Sequence, residues 1–176
     1  MNETLIKHTP IFDLVTKHDE DGVIGFDPVG INAPDWITIV VEKDGKFLMT
    51  KQLRYGLMHE CEEFCAGQVD KGESPIATAR RELAEETGIY VKSLVDVVYL
   101  GKFAANPAFM SNHMHYFYVN LNDSEYTIVD THMDEHEKVV SYWKNKSDVV
   151  SDCMKNHDSV FMPAALFLMI KNGIEL

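Results

Sequence analysis

Glu82, Glu85 and Glu86 follow one another closely, with Arg81 immediately before them and Glu73 further upstream. On a helix, Glu82 and Glu86 stand at i and i+4 and Glu85 one position before the second. Three carboxylates then project over roughly a third of the helix circumference. Like charges at that spacing cost a few tenths of a kcal/mol each, and the negative end of the helix dipole adds to the cost. A divalent cation reverses the sign. Magnesium suits such a set, because it takes hard oxygen ligands in an octahedron and shares them between carboxylates, water and substrate phosphates; manganese accepts the same donors. The competing reading is a solvated, glutamate-rich helix face.

A helix is expected here on local grounds. Ser74 can serve as N-cap and Pro75 as the first helical residue, positions where free backbone donors need an acceptor or no donor at all. Ile76, Ala79 and Leu83 make a narrow apolar stripe that packs inward. Gly88 suits the left-handed residue that closes a helix.

The full stretch Gly67 to Ile89 reads GQVDKGESPIATARRELAEETGI, and fits G-x5-E-x7-R-E-U-x-E-E-x-G-U with U apolar. Gly67, Glu73, Arg81, Glu82, Leu83, Glu85, Glu86, Gly88 and Ile89 fill every specified position. The stretch resembles the Nudix box, and the chain is identified by it as similar to the Nudix hydrolases. The resemblance implies an α+β fold, the Nudix α/β/α sandwich with a mixed β-sheet, and metal-dependent cleavage of a diphosphate linkage in a nucleoside diphosphate derivative. It also implies that Glu82 and Glu86 bind metal directly, that Glu85 binds a metal or its waters, and that the main-chain oxygen of Ala66 supplies a further ligand. Arg81 then orients Glu85 and its neighbours, and Glu73 supports the loop near the positive end of the helix.

Segments outside the box resemble the ADP-ribose pyrophosphatase and nucleotide-sugar diphosphatase branch. They are Gln52-Leu53-Arg54-Tyr55-Gly56 and Glu63-Phe64-Cys65-Ala66-Gly67, with Phe64-Cys65 standing where that branch often has Leu-Pro. Arg54 has two readings, a contact to the distal phosphate or ribose and a brace to Glu63 between two strands. Asn106-Pro107-Ala108-Phe109, Asn112 and His115 resemble a loop-and-strand segment of bacterial members, which makes Asn106, Asn112 and His115 candidate substrate residues. His113 and His115 share one strand face without a third ligand, and read as core or pocket packing rather than a metal pair. Asp134-Glu135-His136-Glu137 falls where the branch carries an acidic loop that closes on the metal cluster; Glu135 is the candidate general base and Glu137 the reserve. Residues 1–34 resemble the N-terminal β region through which that branch forms homodimers. Trp36 and Phe26 are candidates for stacking on the base, against an interface-core role.

On this resemblance ADP-ribose would give AMP and ribose 5-phosphate. GDP-mannose, UDP-glucose, NADH and flavin dinucleotide stay open, as does a ligand-sensing Nudix domain that binds without turnover.

Composition agrees. A chain of 176 residues, 45% of them apolar, is expected to form one domain over residues 1–176 with a sizeable core. The formal charge of −12 disfavours a nucleic-acid polymer, whose phosphates are held by lysine and arginine clusters. Cys61, Cys65 and Cys153 are few and odd in number, which fits a reducing compartment, and Cys61 and Cys65 lack a second pair for a zinc site. MNETLIKHTP has no signal-peptide core and FMPAALFLMI is too short to span a bilayer, so a cytoplasmic protein without a membrane partner is expected.

Strand-like runs are expected over Ile11 to Thr16, Val23 to Phe26, Trp36 to Val41, Lys46 to Leu53, Leu94 to Gly101, His113 to Leu121 and Glu137 to Trp143. Glu42-Lys43-Asp44-Gly45 is a hairpin turn. Two helices are expected near the end, from Ser147 to about Asn156 and from about Pro163 to Lys171.

Overall fold

The computed structural model describes residues 2–132, 138–155 and 158–176. In chain order its strands and helices are β1 (Glu3–His8), β2 (Asp13–Lys17), β3 (Val29–Asn32), β4 (Trp36–Lys43), β5 (Lys46–Arg54), β6 (His59–Glu63), β7 (Cys65–Gln68), α1 (Pro75–Thr87), β8 (Ile89–Val91), β9 (Val98–Ala104), β10 (His113–Asn120), β11 (Tyr126–Ile128), β12 (Val140–Asn145), α2 (Lys146–Lys155) and α3 (Phe161–Lys171), with a 3-10 turn at Leu94–Asp96.

The central sheet runs β12-β5-β4-β10-β9. β4 and β10 are parallel and the other pairings antiparallel, so the sheet is mixed. Side chains alternate across β4. Ile37, Ile39 and Val41 pack with Cys65, Ala79 and Leu83 on the α1 side, whereas Val40 packs with Phe47, Met49 and the α3 residues Met162, Ala165 and Met169 on the other. Helices therefore cover both faces, giving the expected α/β/α sandwich, and a strand covered on both faces reads as a continuous apolar run.

The β4–β5 hairpin turns at Asp44 and Gly45, both with positive φ (50° and 71°), as a two-residue turn of the primed type requires. Pairing between the two strands is seen at Glu42–Phe47 and Lys43–Lys46, after which they part. Their far ends are taken up by other partners: β7 pairs with Trp36–Ile39 of β4, and β6 with Thr50–Arg54 of β5. The parting opens a cleft in the sheet, below α1 on one side and α3 on the other.

β1, β2 and β3 form a separate antiparallel sheet. Ile31 of β3 joins it to the β9–β10 connection: its amide donates to the Phe109 carbonyl at 2.7 Å, and its carbonyl accepts from the Ser111 amide at 3.0 Å. β1 is exposed along its whole length, so no burial alternation marks it in the sequence. Val23 to Phe26, expected as a strand, is instead a turn wrapped around Asp19, whose carboxylate accepts from the amides of Val23, Ile24 and Gly25 at 3.1, 2.9 and 2.7 Å. Gly22 and Gly25 supply the positive φ angles that the turn needs.

The expected strand from Leu94 opens as the 3-10 turn, capped by the Ser93 hydroxyl, and extends only from Val98. α3 begins before Pro163, which occupies the first turn, where a missing amide costs nothing.

Candidate active site

α1 has the ends its sequence implies. Ser74 Oγ accepts the Ala77 amide at 3.4 Å, Pro75 follows, and Gly88 closes the helix at φ 74°. The chain returns tightly past that end. A Cβ at position 88 would lie 2.7 Å from the Val129 carbonyl oxygen, and the His132 amide donates to the Glu85 carbonyl at 3.1 Å.

Arg81 is the centre of the charged cluster. Its Nη1 donates to Glu82 at 2.9 Å and Glu85 at 2.8 Å, its Nη2 to Glu73 at 3.0 Å and the Gln68 carbonyl at 3.2 Å, and its Nε to both Glu73 oxygens at 3.3 Å. A guanidinium presents its donors in a fixed fork, so it sets the relative positions of three carboxylates at once. Burial alone would lower the basicity of Arg81, but the facing Glu73, Glu82 and Glu85 outweigh it and raise it. Burial likewise would raise the Glu73 carboxyl; the hydrogen bonds from Arg81 and Thr78 hold it below its ordinary value instead. Glu73 thus braces the loop into α1, as the sequence implied.

Glu82 crosses the backbone of β7. A Cβ built on Gly67 would sit 2.0 Å from Glu82 Cδ and 2.1 Å from its Oε1, so only glycine lets this carboxylate lie against the strand beside Ala66. Gly67→Ala is expected to keep the fold but push Glu82 off the strand, lowering kcat roughly 10- to 100-fold, or about 1.4 to 2.8 kcal/mol of barrier. Steady-state kinetics beside a thermal melt check it, and wild-type kcat would refute the packing argument.

Glu86 is buried at 6% exposure, next to the Cys65 thiol. Burial, and then the neighbouring Glu86 charge, push that thiol well above its ordinary range. Ala66, Gly67, Arg81, Glu82, Glu85 and Glu86 all line the cleft of about 1390 Å³. The carboxylates of Glu82, Glu85 and Glu86 are gathered at this wall, and the donors are hard oxygens. A divalent cation such as magnesium fits both facts.

The opposite walls come from β4 to β6 and from the segment entering α3. Arg54 lines the cleft while paired with Glu63, Nε to Oε2 at 2.7 Å and Nη2 to Oε2 at 2.5 Å, so the brace between β5 and β6 is formed. Trp36 also lines it, edge-on to Phe161 with ring centroids 6.3 Å apart.

The remaining substrate candidates stand elsewhere. Phe26 is 64% exposed on the turn after β2. Asn106 caps the turn that carries Phe109, its Oδ1 accepting the Ala108 amide at 3.3 Å. Asn112 is buried and donates to the Pro34 carbonyl at 2.9 Å, and His115 Nε2 pairs with Asp35 at 2.9 Å beside Tyr99. Asn112 and His115 fasten the start of β4 to β10, and none of the four candidates is among the residues lining the cleft. Glu135 and Glu137 lie outside the described residues; His132 and Lys138, on either side, line the cleft.

Lys138, Asp158, Ser159, Phe161 and Met162 are cleft residues that the sequence reading did not pick out. The last four come from the entry to α3, far along the chain from the box, and no local pattern marks them.

The NUDIX domain model matches residues 32–165, and the chain belongs to the Nudix family. Over 79 residues it is 39% identical to the ADP-ribose pyrophosphatase of Bacillus subtilis (strain 168), a stretch that is 45% of this chain and 41% of that protein. Over an equal stretch, with the same shares, it is 35% identical to the methanol dehydrogenase activator of Bacillus methanolicus. The match thus spans less than half the length of these curated relatives. A crystal structure of an ADP compounds hydrolase has the same fold, with a TM-score of 0.75 at 19% identity, covering 97% of this chain and 91% of that one. Among the described residues, no helix is long and apolar enough to cross a membrane.

Proposed function

We propose that this protein is a divalent-metal-dependent hydrolase of the diphosphate linkage in a nucleoside diphosphate sugar, with ADP-ribose as the first candidate and AMP and ribose 5-phosphate as products. The observation that carries this reading is the row of Glu82, Glu85 and Glu86 on the wall of a cleft, the first two held by Arg81. The likeness to the ADP-ribose pyrophosphatase of Bacillus subtilis favours ADP-ribose within the class.

In this reading Glu82, Glu85, Glu86 and the main-chain oxygen of Ala66 hold magnesium, or manganese in its place. A divalent cation held there would supply charge neutralisation for the diphosphate and a lowered pKa for a water. Arg81 keeps the carboxylates in register. Arg54, steadied by Glu63, receives the distal phosphate or ribose, and Trp36 with Phe161 offers an aromatic wall to the base. The water oxygen attacks one phosphorus, the bridging oxygen leaves with the other phosphate, and Glu135 takes the water's proton. Glu137 is the reserve base.

A homodimer joined through residues 1–34 is part of the proposal. The supporting observation is the exposure of Leu5, Ile6, Ile11, Ile24 and Phe26 on and around the small sheet. Molar mass in solution tests it.

The activity test uses the full chain with magnesium and a panel of ADP-ribose, GDP-mannose, UDP-glucose, NADH and flavin dinucleotide. Products are treated with alkaline phosphatase and released phosphate is measured. Release from ADP-ribose, abolished by excess chelator and restored by magnesium or manganese, is expected. Tight binding of a panel member without release from any would favour a ligand-sensing domain, and full turnover in excess chelator would overturn the metal assignment.

A further inference from the structure

β6 and the segment entering α3 bring together three side chains that the proposed hydrolysis does not use. His59 and Cys61 are two residues apart on β6 and so point to one face of the strand. Asp158 reaches them from the segment before α3, its Oδ2 3.0 Å from His59 Nε2. The imidazole nitrogen, the thiol sulfur and the carboxylate oxygen all lie within 4.8 Å of one another. Cys61 is 1% exposed, yet it and Asp158 line the cleft, while His59 and Asp158 are half exposed.

We propose that His59, Cys61 and Asp158 form a second metal site, separate from the glutamates of α1, that takes a borderline-soft divalent cation, zinc in the first place. The donor set is the argument. A nitrogen, a sulfur and a single carboxylate oxygen are the ligands zinc accepts, whereas magnesium requires oxygen and avoids sulfur. Zinc bonds of about 2.0 to 2.3 Å at tetrahedral angles place ligand atoms roughly 3.3 to 3.8 Å apart. The three atoms lie within 4.8 Å of one another, with His59 Nε2 and Asp158 Oδ2 at hydrogen-bond distance, 3.0 Å, so the two half-exposed side chains must rotate to take up that spacing. Cys61, held by the core, is the fixed ligand, and metal binding displaces its proton to solvent.

Three protein ligands leave a fourth position open towards the cleft. The site also ties the segment before α3 to β6. Phe161 and Met162, which follow that segment, form part of the cleft wall, so the cation clips the wall in place. This inference stands whether or not the α1 glutamates support hydrolysis, because its readouts are metal content, absorbance and melting temperature.

The test adds zinc to the purified full chain in a large excess of magnesium, removes unbound metal and measures what is retained. Cobalt serves as a second probe, because a thiolate ligand gives it a charge-transfer absorption that oxygen ligands do not. Wild type is expected to retain about one zinc per chain, to melt higher with zinc than without, and to show the cobalt–thiolate band. Cys61→Ser and His59→Gln should lose the retained zinc and the melting shift, and Cys61→Ser the band as well, while Cys153→Ser keeps all three. If Cys61→Ser fails to fold, His59→Gln and Asp158→Asn, at half-exposed positions, carry the test through metal retention. Absence of the band in wild type, or zinc retained undiminished by His59→Gln, would overturn the proposal.

Discussion

Glu86→Gln is expected to leave the fold intact and lower kcat roughly 10² to 10⁴-fold, which at about 1.4 kcal/mol per decade is about 3 to 5.5 kcal/mol of barrier. The reason lies in its setting. Glu86 is buried on the face of α1 that meets the cleft, at i+4 from Glu82, and its neighbour Cys65 is a thiol that burial keeps protonated. The amide has almost the same shape, so packing against β7 survives. What disappears is one unit of negative charge and a hard anionic donor. The change therefore separates a packing role from a metal role. A melting temperature within a few degrees of wild type, together with the fall in kcat at saturating magnesium, is the expected pair of results. Wild-type turnover at saturating magnesium would show that Glu86 holds no metal needed for reaction.

For Glu135→Gln, binding and turnover are expected to come apart. Substrate affinity should hold, since the proposed metal ligands and Arg54 are untouched, while kcat falls roughly 10² to 10⁴-fold from loss of the base. The supporting observation is positional. His132, anchored by its amide on the Glu85 carbonyl, and Lys138 both line the cleft, and they are the described residues on either side of Glu135. Glu137→Gln is the parallel control. If that variant loses turnover while Glu135→Gln stays within about threefold of wild type, the base sits two residues later. If high magnesium restores much of the rate to Glu135→Gln, Glu135 is a metal ligand instead.

The parts of this site that could be read from sequence are those whose cause is local. Ser74, Pro75 and Gly88 mark the ends of α1 because each answers a backbone requirement of its own position, and the carboxylates that the Arg81 fork reaches lie on or just before its own helix. Gly67 was legible as a motif position, but its reason, the approach of Glu82, needs the tertiary packing of α1 on β7. The Arg54–Glu63 brace was one of two readings, and the register of β5 on β6 brings it about. The far wall was not legible. Asp158 to Met162 reach the cleft only because α3 packs its apolar face on the opposite side of the sheet from α1. β1 was missed because a strand exposed on both faces carries no period-two signal, and Val23 to Phe26 was misread because side-chain capture by Asp19 overrides β propensity.

The attachment of the small N-terminal sheet has a consequence for how the molecule breathes. Among the described residues of β1 to β3, Val15 and Gly30 alone are buried, whereas β4 and β10 are covered by helices on both faces. Local opening costs little where few apolar groups are shielded. The backbone amides of β1 and β2 should therefore trade hydrogen for deuterium long before those of β4 and β10, which wait for global unfolding. A partner seated on the small sheet would close off the local opening there, and would slow exchange in the central sheet only by what it adds to global stability.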